Sequence, residues 1–248
     1  MKKSVLLITA LVGASVAFAE DDTQFHGTIR GNANLNYNTT STQSYHLMGN
    51  ASRPFMKGSL GVKGFYLYSR QKVGAGAYNI NDDRTSLSAR YDFDLNGGNL
   101  FGYGDLGWDR DGISGLKSRI TIGAGVGKWM RPKSALENEG DNDWKASVGL
   151  VQVSSKYSDR NETYLGGALN SNYRRIMSWG LKLTHDFTYI PDLQGEDRNL
   201  WISDLHLTKA LGGAWEAGIG YLVTHENKPA AGAQKQVSNW MFSIGYKF

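Results

Sequence analysis

The chain has 248 residues, four prolines, a formal charge of +4 and no cysteine, which excludes a disulfide scaffold and a thiolate-bound metal. Lys2 and Lys3 supply two of those charges, so the body of the chain stands near +2 and lacks the concentrated basic face of a nucleic-acid binder. Mean hydropathy is negative and no apolar run of about 18 residues follows the N-terminal segment, which excludes a helical membrane protein but not a β-barrel.

Met1–Ala19 reads MKKSVLLITALVGASVAFA: two lysines, an apolar run, then small residues closing on Ala17-Phe18-Ala19. That is the layout of a secretory signal peptide, and it predicts a mature chain starting near Glu20 outside the cytoplasm. Residues 20–248 show no linker-like stretch and are expected to form one domain.

From Phe25 onward, apolar and polar residues alternate with the period of a β-strand. Clear segments run over 25–37, 86–95, 119–126, 144–150, 179–189, 215–224 and 240–248. Weaker ones cover Tyr45–Phe55, Gly61–Arg70, Asn99–Asp109, Glu162–Tyr173 and Asn199–Lys209. The total of about 12 is even, as a closed bacterial barrel requires. The ambiguous face assignments of Gly61–Arg70, Asn99–Asp109 and Glu162–Tyr173 leave counts of 10 and 14 open. The runs exceed the usual soluble strand of about five or six residues and approach the length that crosses a bilayer at a tilt. Trp144, Trp179, Trp201, Trp215 and Trp240 open segments, and Trp108 and Trp129 close them. Tryptophan at strand ends reads as an interfacial girdle.

With both chain ends placed in the periplasm, the odd-numbered connections face outward. Gln71–Asp83 and Glu226–Gln236 are then long outer loops, and Asn96-Gly97-Gly98 and Leu211-Gly212-Gly213 are tight inner turns. Arg131–Asn142 (RPKSALENEGDN) is long yet falls on the inner side. It marks either a strand miscounted or a large inner loop with a helical turn around Ser134–Glu139. The last segment carries Trp240, Phe242, Ile244, Tyr246 and Phe248 on one face, which only lipid is left to cover. Alternating anchors before a terminal Phe resemble the sorting signal read by the outer-membrane assembly machinery of Gram-negative barrels; strand addition suits such recognition.

Leu100–Met130, LFGYGDLGWDRDGISGLKSRITIGAGVGKWM, resembles the central signature of the YdiY-like, salt-induced outer-membrane protein family. The matching positions are Asp109, Asp111, Gly112, Arg119, Gly123, Gly125 and Gly127. Gly27–Leu47 is a looser match, with Asn38-Thr39-Thr40 in place of the family's Gly-Asn-Thr turn. The resemblance implies an outer-membrane barrel and little else, since the family has no established biochemical activity.

Ionised side chains facing hydrocarbon cost about 2–4 kcal/mol at mid-membrane, so the charged members of the strands should point into the lumen. These are Arg30, Arg90, Asp92, Arg119, Lys182, Asp186, Asp204 and Glu216, with Asp94 and Lys247. They either pair across the bore and plug it or line a narrow aqueous path. The Gly123/Gly125/Gly127 run lacks the strand–turn–helix context of a phosphate loop; small residues that let other side chains cross the lumen explain it better. His206, Thr208 and Asp204 share a face, but no nucleophile elbow accompanies them, so catalytic residues are expected to be none. Asp82-Asp83 and Glu137–Asp143 lack the spacing of a calcium loop, and neither a metal nor a cofactor is expected. The sequence thus predicts an all-β, closed antiparallel transmembrane barrel in the Gram-negative outer membrane, monomeric or weakly oligomeric and not an enzyme. It would serve as a narrow passive pore or envelope-stress component; the alternatives are an outer-membrane lipase or protease, and a plugged barrel that binds through its outer loops. Expected partners are outer-membrane lipid and, during biogenesis, periplasmic chaperones and the barrel assembly machinery, with no nucleic acid.

Overall fold

In the computed structural model, residues 25–37, 40–73, 77, 79–95, 99–130 and 143–248 are described. The first six strands are β1 (His26–Tyr37), β2 (Thr40–Phe55), β3 (Gly58–Val73), β4 (Asn79–Asp94), β5 (Leu100–Asp111) and β6 (Leu116–Trp129). The second six are β7 (Asp143–Tyr157), β8 (Asn161–Ile176), β9 (Leu181–Pro191), β10 (Asn199–Gly212), β11 (Trp215–Glu226) and β12 (Gln236–Lys247). Each strand pairs with its sequence neighbours, and β1 pairs with β12, closing a twelve-stranded antiparallel barrel. Closure at β1 and β12 removes most of the sheet edge that lipid cannot hydrogen-bond, with pairs from Thr28↔Lys247 to Gly31↔Ile244. The expected count of 12 therefore stands, and no strand is missing beside 131–142. That connection joins β6 to β7 at the end of the barrel carrying both chain ends, and its own conformation, the Ser134–Glu139 turn included, lies outside the described residues, as do Met1–Ala19 and Asn96-Gly97-Gly98.

Alternation separates two faces with opposite exposure. On β12, Trp240, Phe242 and Ile244 are 67%, 68% and 59% exposed, whereas Arg119 and Glu216 on the inner wall are 5% and 2% exposed. In water, each large apolar side chain left out would forfeit about 1.5–3 kcal/mol relative to burial. Leu106, Ile120, Ile122, Val126, Val148 and Leu150 continue the exposed apolar belt. Its solvent is therefore hydrocarbon, and the inner face is the polar one. Beyond Leu150 the outward positions of β7 turn polar, with Gln152, Ser154 and Lys156 exposed, so the wall projects past the belt at the end away from the termini.

Three local expectations are corrected. β3 and β4 extend to Val73 and from Asn79, so the long loop expected over Gln71–Asp83 is mostly strand. Trp129 stands in the inward register beside Phe101, ring centroids 5.8 Å apart, and is not part of an outer girdle. Trp179 belongs to a single 3-10 turn, Ser178–Gly180, with φ +69° and its ring 83% exposed; β9 starts after it. At the β10–β11 hairpin, Gly212 and Gly213 take φ +124° and +56°, which side-chain-bearing residues avoid.

Candidate functional site

The site is the lumen, and charge holds it together. Lys63 on β3 pairs with Asp186 on β9, six strands away and therefore on the opposite wall of the twelve-stranded ring. Asn172 donates to the other carboxylate oxygen of Asp186 at 2.7 Å. A second brace joins Arg119 on β6 to Glu226 on β11, 2.5 Å apart. Arg119 also donates to Ser155 Oγ at 3.0 Å and Tyr157 Oη at 2.7 Å, and Tyr157 bonds Glu226 in turn. The two braces differ in weight. Lys63 and Asp186 keep side-chain exposures of 56% and 37%, so water screens them and the pair is worth about 0.2–1 kcal/mol. Arg119 is buried, and leaving it alone would cost about 3–5 kcal/mol.

Nearer the chain ends, Arg90 donates to Asp92 at 2.6 Å and Lys145 to its other oxygen at 2.5 Å. Arg90 lies over the Tyr103 ring, 3.8 Å from its centroid, and Lys145 sits 5.1 Å from that of Trp129. The glycine run of β6 is the floor that admits these rings. A Cβ on Gly127 would come within 2.2 Å of Phe101, and one on Gly125 within 2.8 Å of Tyr103. Across β12, Arg30 meets Glu216 at 2.7 Å, and Lys247 approaches Glu216 at 3.6 Å. Gly245 lies between them; any Cβ there would collide with both side chains. Asp204 stands 2.8 Å from His206. Lys182 points into the same lumen and makes no ion pair among the described residues.

Between the charged layers the lumen is occupied by apolar side chains. Leu67, Leu222 and Met241 are buried against Met48, Phe65 and Ile202. Ile202 also packs on a second cluster of Val151, Val153, Tyr164, Ala168, Ile190 and Leu200. At the end away from the termini, the β11–β12 connection folds inward, with Ala230 buried on Leu116 and Tyr157. Arg160 donates to the carbonyls of Lys228 and Pro229 at 2.7 and 3.1 Å, and the Ala231 amide donates to Asp159 at 3.0 Å. That amide holds the Asp159 carboxyl below the usual carboxylate range.

All eight charged lumen candidates lie on the inner face, but sequence reasoning missed the partners that matter most: Lys63, Lys145 and Glu226. Lys63 was hidden because β3 carries aromatic or aliphatic residues on both faces, Phe65 and Leu67 inside and Tyr66 and Tyr68 outside. The five C-terminal anchors, Trp240, Phe242, Ile244, Tyr246 and Phe248, form one outward stripe. Among chemical candidates, His206 and Thr208 are buried in the lumen beside Asp204. His185 stands in the outward register and meets Ser203 at 2.9 Å, so the two polar groups satisfy each other on that face. No cluster of three or more metal-ligating side chains occurs among the described residues.

Fold and lumen together define a transmembrane-type β-barrel with a cross-braced interior. The chain belongs to the family described as "Protein of unknown function, DUF481", whose model matches residues 22–248. Among solved structures, it is similar to the translocator domain of autotransporter NalP from Neisseria meningitidis, at 13% identity over 100% of this chain and 96% of that one, with a TM-score of 0.43. The KdgM porin aligns at 11% identity over 90% of this chain and 99% of its own, TM-score 0.41. The transport unit of autotransporter AIDA-I from Escherichia coli aligns at 12% identity over 98% and 97%, TM-score 0.39. No curated protein sequence matches the chain.

Proposed function

We propose that this protein is an outer-membrane β-barrel closed at rest, a plugged module acting through the loops at its outer end and without catalysis. The observation that carries this reading is the pair of ion bridges, Lys63–Asp186 and Arg119–Glu226, that span the bore with an apolar waist beside them. An open porin needs a continuous aqueous path, and side chains bonded across the bore count against one. The polar extension of the wall and the interlocked β11–β12 loop favour placing that end outside the cell and both chain ends in the periplasm. The outward aromatic stripe ending at Phe248 would then be the segment read by the assembly machinery, and the resemblance to the YdiY-like, salt-induced family adds a role in envelope stress.

Planar-bilayer recording of refolded protein tests the reading. The wild type should be silent, and Arg119→Ala should give discrete openings. Steady conductance by the wild type would overturn it in favour of the second reading, a narrow passive pore. That alternative draws on the half-exposed Lys63–Asp186 pair, since water must enter the lumen to reach it. In such a pore Asp186→Asn would change the ion selectivity. Release of fatty acid or peptide, abolished by His206→Ala, would instead establish a hydrolase.

A further inference from the structure

The barrel wall is not uniformly sealed. β1 pairs with β2 along its whole length, and β12 with β11 along nearly all of its own. Between β1 and β12, however, the register runs only from Thr28↔Lys247 to Gly31↔Ile244, extended by the reciprocal bonds of Gly27 and Phe248. Past Gly31 and Ile244, Asn32–Tyr37 and Gln236–Ser243 each lack the other as a partner. Asparagine recurs at 32, 34 and 36, a residue depleted from strands, on the strand that lets go. The gap opens beside Phe242 and Trp240, within the lipid-facing stripe. Unpaired backbone groups in hydrocarbon cost several kcal/mol each, so this edge needs water from the lumen side.

A cleft of 640 Å³ lies at the point of divergence. Leu181, Leu207, Ala217, Ile219, Phe242 and Ile244, all in the outward register, line it together with Asn32 and Ser243, the next positions in the β1–β12 register. The cleft therefore lies over the seam. Immediately behind it, Met241 belongs to the apolar lumenal cluster with Met48, Leu67 and Leu222. Lys209 is the cationic member of the lining, exposed on β10 opposite Leu181 and Ala217, two residues along β11 from the girdle residue Trp215. An ammonium at that height reaches the headgroup layer while its stem stays on the apolar wall.

We propose that the β1–β12 seam is a lateral lipid site, in which an acyl chain of a phospholipid from the leaflet nearer the chain ends lies in the cleft and its phosphate binds Lys209. The chain end points through the seam to the lumenal apolar cluster. This rests on the membrane placement proposed above but not on whether the lumen conducts.

Native mass spectrometry of the detergent-solubilised full-length protein, titrated with phosphatidylglycerol, provides the test. The wild type should hold one lipid tightly. Lys209→Glu and Gly31→Phe should each weaken retention about tenfold. The second places a ring at the cleft from a position whose Cβ has room, with nothing nearer than Leu47 at 3.9 Å. An oxidised Asn32→Cys/Ser243→Cys pair, made in a chain with no other cysteine, should staple the seam and expel the lipid, and reduction should restore it. Retention unchanged in all three variants, or a dimer in place of a lipid adduct, overturns the site. Vesicle flotation separates the two proposals: a barrel that floats but shows no selective lipid leaves the membrane placement standing, whereas one that stays in solution removes both.

Discussion

Glu216 is the residue on which the end of the lumen nearer the termini depends. It is 2% exposed, lies between Arg30 and Lys247, and faces a glycine on the strand it reaches across. Glu216→Ala leaves Arg30 buried and unpaired, and should cost about 3–5 kcal/mol in urea unfolding from detergent micelles. Arg30→Met/Glu216→Met should recover most of that loss, because no charge is then stranded. Gly125 makes a second prediction. Its added Cβ would stand 2.3 Å from the Val148 carbonyl oxygen, so Gly125→Ala should destabilise by about 1–3 kcal/mol, while Gly104→Ala, with its nearest atom at 4.0 Å, should change little in the same measurement. Alternation alone assigns such residues to a face, since neighbouring side chains on a strand point oppositely. It does not name the partner, because Lys63 and Asp186 lie 123 positions apart and meet only when the sheet closes.

At the scale of the element, the β11–β12 connection is held by groups from the β7–β8 turn and from Asn199. The Asp159 carboxyl has a lowered pKa because it accepts from the Ala231 amide, so the docking it contributes is complete above the ordinary carboxylate range near about 3.9 and is lost as pH falls through the lowered value. A spin label on Gln234→Cys should stay immobile at neutral pH and loosen below about pH 4. Asp159→Asn should loosen it at neutral pH with the barrel intact. The last strand carries a separate prediction. Phe248→Ala keeps the backbone bonds to Gly27 and should refold normally in detergent, yet should lower the amount of assembled protein in cells if the aromatic end is read as a sorting signal. Equal cellular yield would remove that role. Strand existence was legible from period-2 pattern, whereas the ends of β3 and β4 were not: residues past Arg70 lose apolar alternation but still pair, because they project beyond the belt into water.

For the whole molecule, twelve strands followed from counting alternating segments, and closure of β1 on β12 followed from the cost of an open edge in a solvent without hydrogen bonds. The folded barrel should therefore migrate differently before and after boiling in detergent, and Arg119→Ala should lower the temperature of that change by removing the buried brace. By itself, the sequence determined that twelve strands exist, which face is which wherever alternation is clean, and the solvent each face requires, since these depend on spacing along the chain. Only the tertiary structure decided that the bore is bridged from wall to wall and that the first and last strands part company midway. Both are relations between residues distant in sequence, set by the circumference and shear of the closed sheet, and no local pattern encodes them.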